Sequence, residues 1–256
     1  MPTMTFPEPP PPGWDSMGRP RRSRAPAGLA MVLLFALVGV LLLNPLLISD
    51  ALERVGLGGA SRLRPAPETS SSATAYAFVD TQPGTGTPVS YDPCREIEVA
   101  INPDGAPGDH EELVRTSLER TSEATGFVFV LVGTTPDRER GIRTRDQPVL
   151  VMWADEEEVS ELEGRIAGIG GSTVQQAPNG FKQFVSGVVV LDVDAFEDMR
   201  EPAVRQAIVD HEFGHLVGLD HVDDESQLMH AEGARNLTYG TGDLAGLARL
   251  GNVACG

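Results

Sequence analysis

The sequence predicts an α+β domain, with an α/β sandwich as the alternative, preceded by one transmembrane helix. From residue 91 onward, apolar runs of strand length alternate with segments of helical periodicity. Before that point, residues 27–43 form an apolar run that contains no charged side chain. Apolar residues make up 41% of the chain, which is enough for an ordinary hydrophobic core.

The first 90 residues predict three segments outside the folded domain. Residues 1–26 are rich in proline and arginine and are expected to be disordered and cytoplasmic, because arginines before an apolar segment keep that end inside. Residues 27–48 are long enough to cross a bilayer as a signal-anchor, which would place the rest of the chain outside the cell. The alternative is a cleaved signal peptide and a secreted domain. Residues 49–90 have the glycine, proline and Ser/Thr content of a flexible stalk.

Residues 91–256 have the pattern of a folded domain. Strands are predicted at residues 96–101, 127–132, 149–153 and 185–193, and helices at 109–125, 201–219 and 243–250. Residues 167–180 contain many glycines and predict either a weak edge strand or a loop. Cys94 and Cys255 lie near the two ends of this domain, and outside the cytosol they are expected to form a disulfide; two free thiols are the alternative.

The formal charge of −17 argues against nucleic acid as a partner, because binding to phosphates requires a basic surface. The acidic residues are concentrated after residue 91. A solvated acidic surface explains them, and calcium binding by some of the carboxylates is the alternative.

Three of the five histidines fall within residues 211–221, HEFGHLVGLDH. His211 and His215 are four residues apart, so on a helix both imidazoles face one ion. Gly218 can end that helix in a left-handed turn, after which the chain can supply His221 as a third ligand. Three histidines leave one zinc position for water, and Glu212 is placed to act as the general base.

This motif resembles that of the metzincin zinc peptidases, in which a methionine-containing turn lies below the metal. Met229 is well placed for that turn, and the resemblance implies that it supports the site without binding zinc. Residues 223–229 and 243–251 are similar to the matrixins, which implies a twisted mixed sheet, an active-site helix and a C-terminal helix. Astacins and serralysins have a tyrosine two residues after the methionine; the residue here is Ala231, so no such ligand is implied.

The sequence therefore predicts a membrane-anchored extracellular zinc endopeptidase that hydrolyses peptide bonds in protein or peptide substrates. One alternative is a zinc-binding surface module that recognises a partner and cleaves nothing. A second is a narrow peptidase that processes one neighbour in the membrane or cell wall. By analogy with the matrixins, residues 167–178 would pair with the extended substrate.

Overall fold

A computed structural model describes residues 61–68, 73–232 and 235–255. In chain order, the elements are β1 (Ala77–Phe78), β2 (Glu96–Ile101), α1 (His110–Thr125), β3 (Val128–Thr134), β4 (Val149–Ala154), a 3-10 turn (Ser160–Leu162), β5 (Gly168–Gln176), β6 (Lys182–Asp192), α2 (Val193–Asp198), α3 (Pro202–Val217), β7 (Leu219–Asp220) and α4 (Thr241–Gly251). The predicted segments 1–26 and 27–48 lie outside the described residues. Among the residues that are described, no helix is long and apolar enough to cross a membrane.

The fold is α+β and is built on a mixed five-stranded sheet with the strand order β3-β2-β4-β6-β5. Strands β3, β2, β4 and β6 run parallel to one another, and β5 runs antiparallel to β6. The predicted strands are confirmed, and the glycine-rich stretch is a strand at the edge of the sheet rather than a loop. The expectation of a buried strand at 127–132 is wrong, because β3 lies at the other edge and Val132 is 49% exposed.

The central strand β4 is buried on both faces, which explains why it is apolar throughout. Its alternate side chains enter two hydrophobic clusters: Val149, Val151 and Trp153 in one, and Leu150, Met152 and Ala154 in the other. The first cluster also contains Phe213 and Leu216 of α3. The apolar face of α3 is therefore packed into the core, and this packing fixes the orientation of its opposite face.

The predicted stalk at residues 49–90 is wrong for the part of it that the structure describes. Ala60–Gly256 forms one compact unit, so the domain begins well before residue 91. Strand β1 pairs antiparallel with β7, and Ser90 is buried, its hydroxyl donating to the carbonyl of Leu250 at 2.7 Å. Glycine, proline and small polar residues looked like a linker in the sequence, but these residues pack against partners that are distant in sequence.

The predicted disulfide is present between Cys94 and Cys255, whose Cα atoms are 5.6 Å apart. It joins the chain two residues before β2 to the segment after α4. Arg62 reinforces the same junction, because its guanidinium donates to the carbonyls of Gly251 (2.6 Å) and Val253 (3.0 Å). Both ends of the domain are thereby held together at one place.

Candidate metal centre

Helix α3 carries His211 and His215 and ends at Val217, directly before Gly218. Pro202 occupies its first turn, a position where a missing N–H costs nothing. At its C-terminus, Gly218 has a φ of 118°, in the left-handed region, and its N–H donates to the carbonyls of Gly214 (3.2 Å) and His215 (3.0 Å). The predicted left-handed turn at Gly218 is therefore present, and it redirects the chain toward His221.

The three histidines of the motif converge on one point. The Nε2 atoms of His211, His215 and His221 are 3.1 Å apart in each of the three pairs. Nitrogen ligands of zinc lie about 2.0–2.1 Å from the metal, so three nitrogens at this mutual spacing fit a single ion between them. The sequence-predicted ligand set is thus brought together as a group of metal-binding geometry.

Backbone carbonyls determine which ring nitrogens face this point. Nδ1 of His211 lies 2.7 Å from the carbonyl oxygen of Leu228, and Nδ1 of His215 lies 2.8 Å from that of Leu219. Since a carbonyl only accepts, both rings carry their proton on Nδ1, and both Nε2 atoms present lone pairs. Neither Nε2 atom carries a hydrogen, so the two atoms cannot form a hydrogen bond with each other. A cation between them is the partner that suits this arrangement.

Burial keeps the rings in the form that binds metal. Desolvation, together with the neighbouring His215, lowers the pKa of His211 to about 4. Desolvation is also the main cause that lowers the pKa of His215. A neutral imidazole is the form that ligates a metal, so these two ligands need lose no proton near neutral pH.

Glu212 lies beside the histidines and faces the same cleft, which has a volume of about 860 Å³. The residue is only 6% exposed, and burial raises the pKa of its carboxyl to about 8. None of the described residues makes a hydrogen bond to this carboxylate. A cation bound by the histidines would favour the ionised form, because an opposite charge nearby stabilises it.

Two glycines of β5 allow the strand to approach Glu212 closely. A Cβ placed on Gly168 would lie 2.8 Å from Cγ of Glu212, and one on Gly170 would overlap the carbonyl oxygen of Glu212. The same glycines that left a loop as an alternative in the sequence therefore allow the edge strand to pack closely against α3.

The turn that contains Met229 supports the site from below. Met229 is 1% exposed, and a Cβ on Gly214 would lie 2.5 Å from its sulfur, so the thioether packs directly under α3. The neighbouring Leu228 supplies the carbonyl that accepts from His211. Asp243 holds the turn in place by accepting from the N–H groups of Leu228 (2.6 Å) and Gly240 (2.8 Å). Met229 therefore lies in a turn packed against α3, and its role as the methionine turn of the metzincins stays a prediction.

Two buried carboxylates around the site were not identified from the sequence. One is Asp243, which anchors the turn that contains Met229. The other is Asp210, fully buried beside His211, whose carboxylate accepts from Ser117 (2.5 Å), Arg120 (2.5 Å) and Gln206 (2.9 Å). An acidic residue within an apolar helix segment was the available signal for Asp210, but its partners on α1 are far away in sequence.

The described residues contain one other group of three metal-ligand side chains, formed by Asp92, Cys94 and Cys255. The two sulfurs of this group are joined in the disulfide, so they are not available as thiolates. Calcium binding stays a prediction that no other described cluster supports.

No family model matches the chain, and no curated protein matches it either. The residues and geometry of the site are therefore the basis for a functional proposal.

Proposed function

We propose that the chain is a membrane-anchored extracellular zinc endopeptidase of the metzincin type, similar to the matrixins. His211, His215 and His221 hold the metal in this proposal, and Glu212 is the general base. One observation carries it: three histidine Nε2 atoms lie 3.1 Å from each other, in the same cleft as a buried glutamate. The methionine turn beneath α3 is further support, because it is the feature that the metzincin resemblance implies.

The protein side chains have separate tasks in this mechanism. Bound zinc supplies a Lewis acid that polarises the scissile carbonyl and makes water a stronger nucleophile near neutral pH. Glu212 takes the proton from the attacking water and later gives it to the leaving amine. The carbonyls of Leu228 and Leu219 hold the rings of His211 and His215 in their ligating orientation. Burial of Glu212 favours its protonated form, which suits the step in which it returns the proton.

An extended peptide suits the edge of β5. This strand pairs with β6 on one side and, among the described residues, has no strand neighbour on the other. Ile169 of β5 and Ile208 of α3 line the cleft together with the histidines. A substrate strand added to this edge would gain affinity from backbone hydrogen bonds with little demand on its sequence. The predicted anchor would restrict the enzyme to substrates near the membrane.

The decisive test compares the full-length chain with its Glu212→Gln variant. We expect one zinc per chain in both, since glutamine keeps the size of the side chain and leaves the three histidines intact. Cleavage of a broad peptide library should fall by about 10²–10⁴-fold in the variant, the usual contribution of a general base. Metal content by atomic absorption and library cleavage by mass spectrometry are the two measurements.

Glu119→Gln is the matched control, because Glu119 is an exposed carboxylate on α1. It should leave both zinc content and cleavage unchanged. Substantial cleavage by Glu212→Gln would overturn the mechanism. If the wild type and Glu212→Gln both bind zinc and neither cleaves, the catalytically silent zinc-binding module is favoured instead. If neither binds zinc, the proposed metal site is wrong.

A further inference from the structure

We infer that residues 75–79, which include β1, position two of the three histidine ligands, His215 and His221. We term residues 75–79 the β1 segment. This inference rests on the proposed metal site. It assigns a role at the metal centre to residues that lie more than a hundred positions before the motif and that look like linker in the sequence.

The β1 segment is paired with the chain that connects α3 to the third ligand. Ala77 pairs with Asp220 and Phe78 with Leu219, antiparallel. The N–H of Val79 donates to the carbonyl of Gly218 at 3.0 Å. The pairing therefore begins at the glycine that ends the helix and stops at the residue immediately before His221.

Strand β7 serves two ligands at once. The carbonyl of Leu219 accepts from Nδ1 of His215, which sets the orientation of that ring. His221 follows Asp220 directly, so the direction in which β7 leaves the helix determines where the third imidazole points. A strand of two residues has little stability of its own, because a pair this short needs support from neighbouring elements. The β1 segment supplies the backbone partner that β7 otherwise lacks among the described strands.

Helix α4 holds the β1 segment against β7. A Cβ on Gly242 would overlap the carbonyl oxygen of Ala75, and one on Gly246 would lie 2.9 Å from Cβ of Tyr76. The guanidinium of Arg249 lies over the ring of Tyr76, 5.3 Å from its centroid. Two glycines therefore let the segment lie directly on the helix, and the arginine covers the aromatic ring. This close fit leaves the segment little freedom to move away from β7.

The sharpest test uses two substitutions at Val79 in the full-length chain. The side chain of Val79 is 55% exposed, so Val79→Ala removes little packing and keeps the N–H that donates to Gly218. Val79→Pro removes that N–H. We expect Val79→Pro to weaken zinc binding by about 10–100-fold, as loss of groups that orient ligands usually does, while Val79→Ala stays close to the wild type. Competition with a chromophoric zinc chelator measures both affinities.

Two measurements together distinguish a positioning role from a general loss of stability. They are the zinc affinity of each variant and the unfolding of its metal-free form. The inference requires Val79→Pro to lose zinc affinity while its metal-free form still unfolds cooperatively. Wild-type affinity in a folded Val79→Pro protein would overturn it. Absence of zinc binding in the wild type would instead overturn the proposed function, so the two failures are distinguishable.

Hydrogen exchange of the unmodified protein tests the same coupling without a variant. If the β1 segment favours metal binding, then bound zinc must stabilise the β1 segment equally, because coupling between two sites is reciprocal. The amide of Val79 should exchange more slowly after zinc is added to the metal-free chain. An unchanged exchange rate at Val79, with zinc bound, would contradict the inference even if Val79→Pro fails to fold.

Discussion

Two carboxylates on α3, two residues apart, have opposite environments. Asp210 is fully buried and receives hydrogen bonds from Ser117, Arg120 and Gln206. Glu212 is 6% exposed, faces the cleft, and receives no hydrogen bond from the described residues. Both are withdrawn from bulk water, but only Asp210 has protein groups that replace the lost hydration.

The difference indicates what each carboxylate is for. A buried charge with a full set of partners joins two elements, in this case α3 and α1, and stabilises the fold. A buried carboxyl without partners costs stability, and burial raises its pKa, to about 8 for Glu212. Such a cost is typical of a group whose partners are a substrate, a water molecule or an ion.

Removing the structural carboxylate should have the largest effect on folding. In Asp210→Ala, Arg120 loses its ionic partner and Ser117 loses its acceptor. Gln206 loses one of its three acceptors in the interior. We expect the free energy of unfolding to fall by about 3–5 kcal/mol, as for other buried pairs with one partner removed. Denaturant unfolding of Glu119→Ala, an exposed site on α1, provides the control and should differ from the wild type by less than about 0.5 kcal/mol. Equal stabilities would show that Asp210 is not an anchor.

A smaller effect is expected where the edge strand approaches Glu212. A Cβ on Gly170 would overlap the backbone of Glu212, whereas a Cβ on the adjacent Gly171 meets nothing within 4 Å. Gly170→Ala should destabilise the protein by about 1–3 kcal/mol through overpacking and should reduce cleavage, because α3 must shift. Gly171→Ala should leave thermal unfolding and cleavage nearly unchanged. If the two variants behave alike, close packing of β5 on α3 is not required.

The smallest expected effect is the pH dependence of the metal-free protein. The pKa of Glu212 is raised from an ordinary value of 4.5 to about 8, so the folded state binds this proton more tightly than the unfolded state. Stability from the neutral carboxyl is therefore fully present below about pH 4.5 and is lost as the pH rises through about 8.

Glu212→Gln, which stays neutral, should consequently be more stable than the wild type at pH 8 when both are stripped of metal. We expect a difference of at least about 1.4 kcal/mol, the equivalent of one pKa unit, that disappears near pH 4. Denaturant unfolding at the two pH values measures it. A wild type more stable than the variant at pH 8 would show that the carboxylate has partners that the fold does not reveal.

Local patterns in the sequence predicted most of the fold and the centre of the site. Periodicity placed β2, β3, β4 and β6 and helices α1, α3 and α4, but it missed the short α2 and β7. Glycine at position 218 predicted the left-handed turn that the structure contains. The histidine spacing predicted a convergence that follows from the geometry of one helical turn. These features depend on residues close together in the chain, so one sequence is enough to find them.

The remaining features depend on contacts between distant segments. Residues 75–79 resemble a linker in the sequence, and only their pairing with β7 makes them part of the domain. The glycines of β5 signal a loop or a strand equally well until α3 is packed on them. Asp210 and Glu212 are both acidic residues in one helix, and only the tertiary structure surrounds the first with donors and turns the second toward the cleft. Sequence by itself determined which groups can bind a metal; the tertiary structure decided which of them are held in place, because orientation comes from partners that the chain supplies from elsewhere.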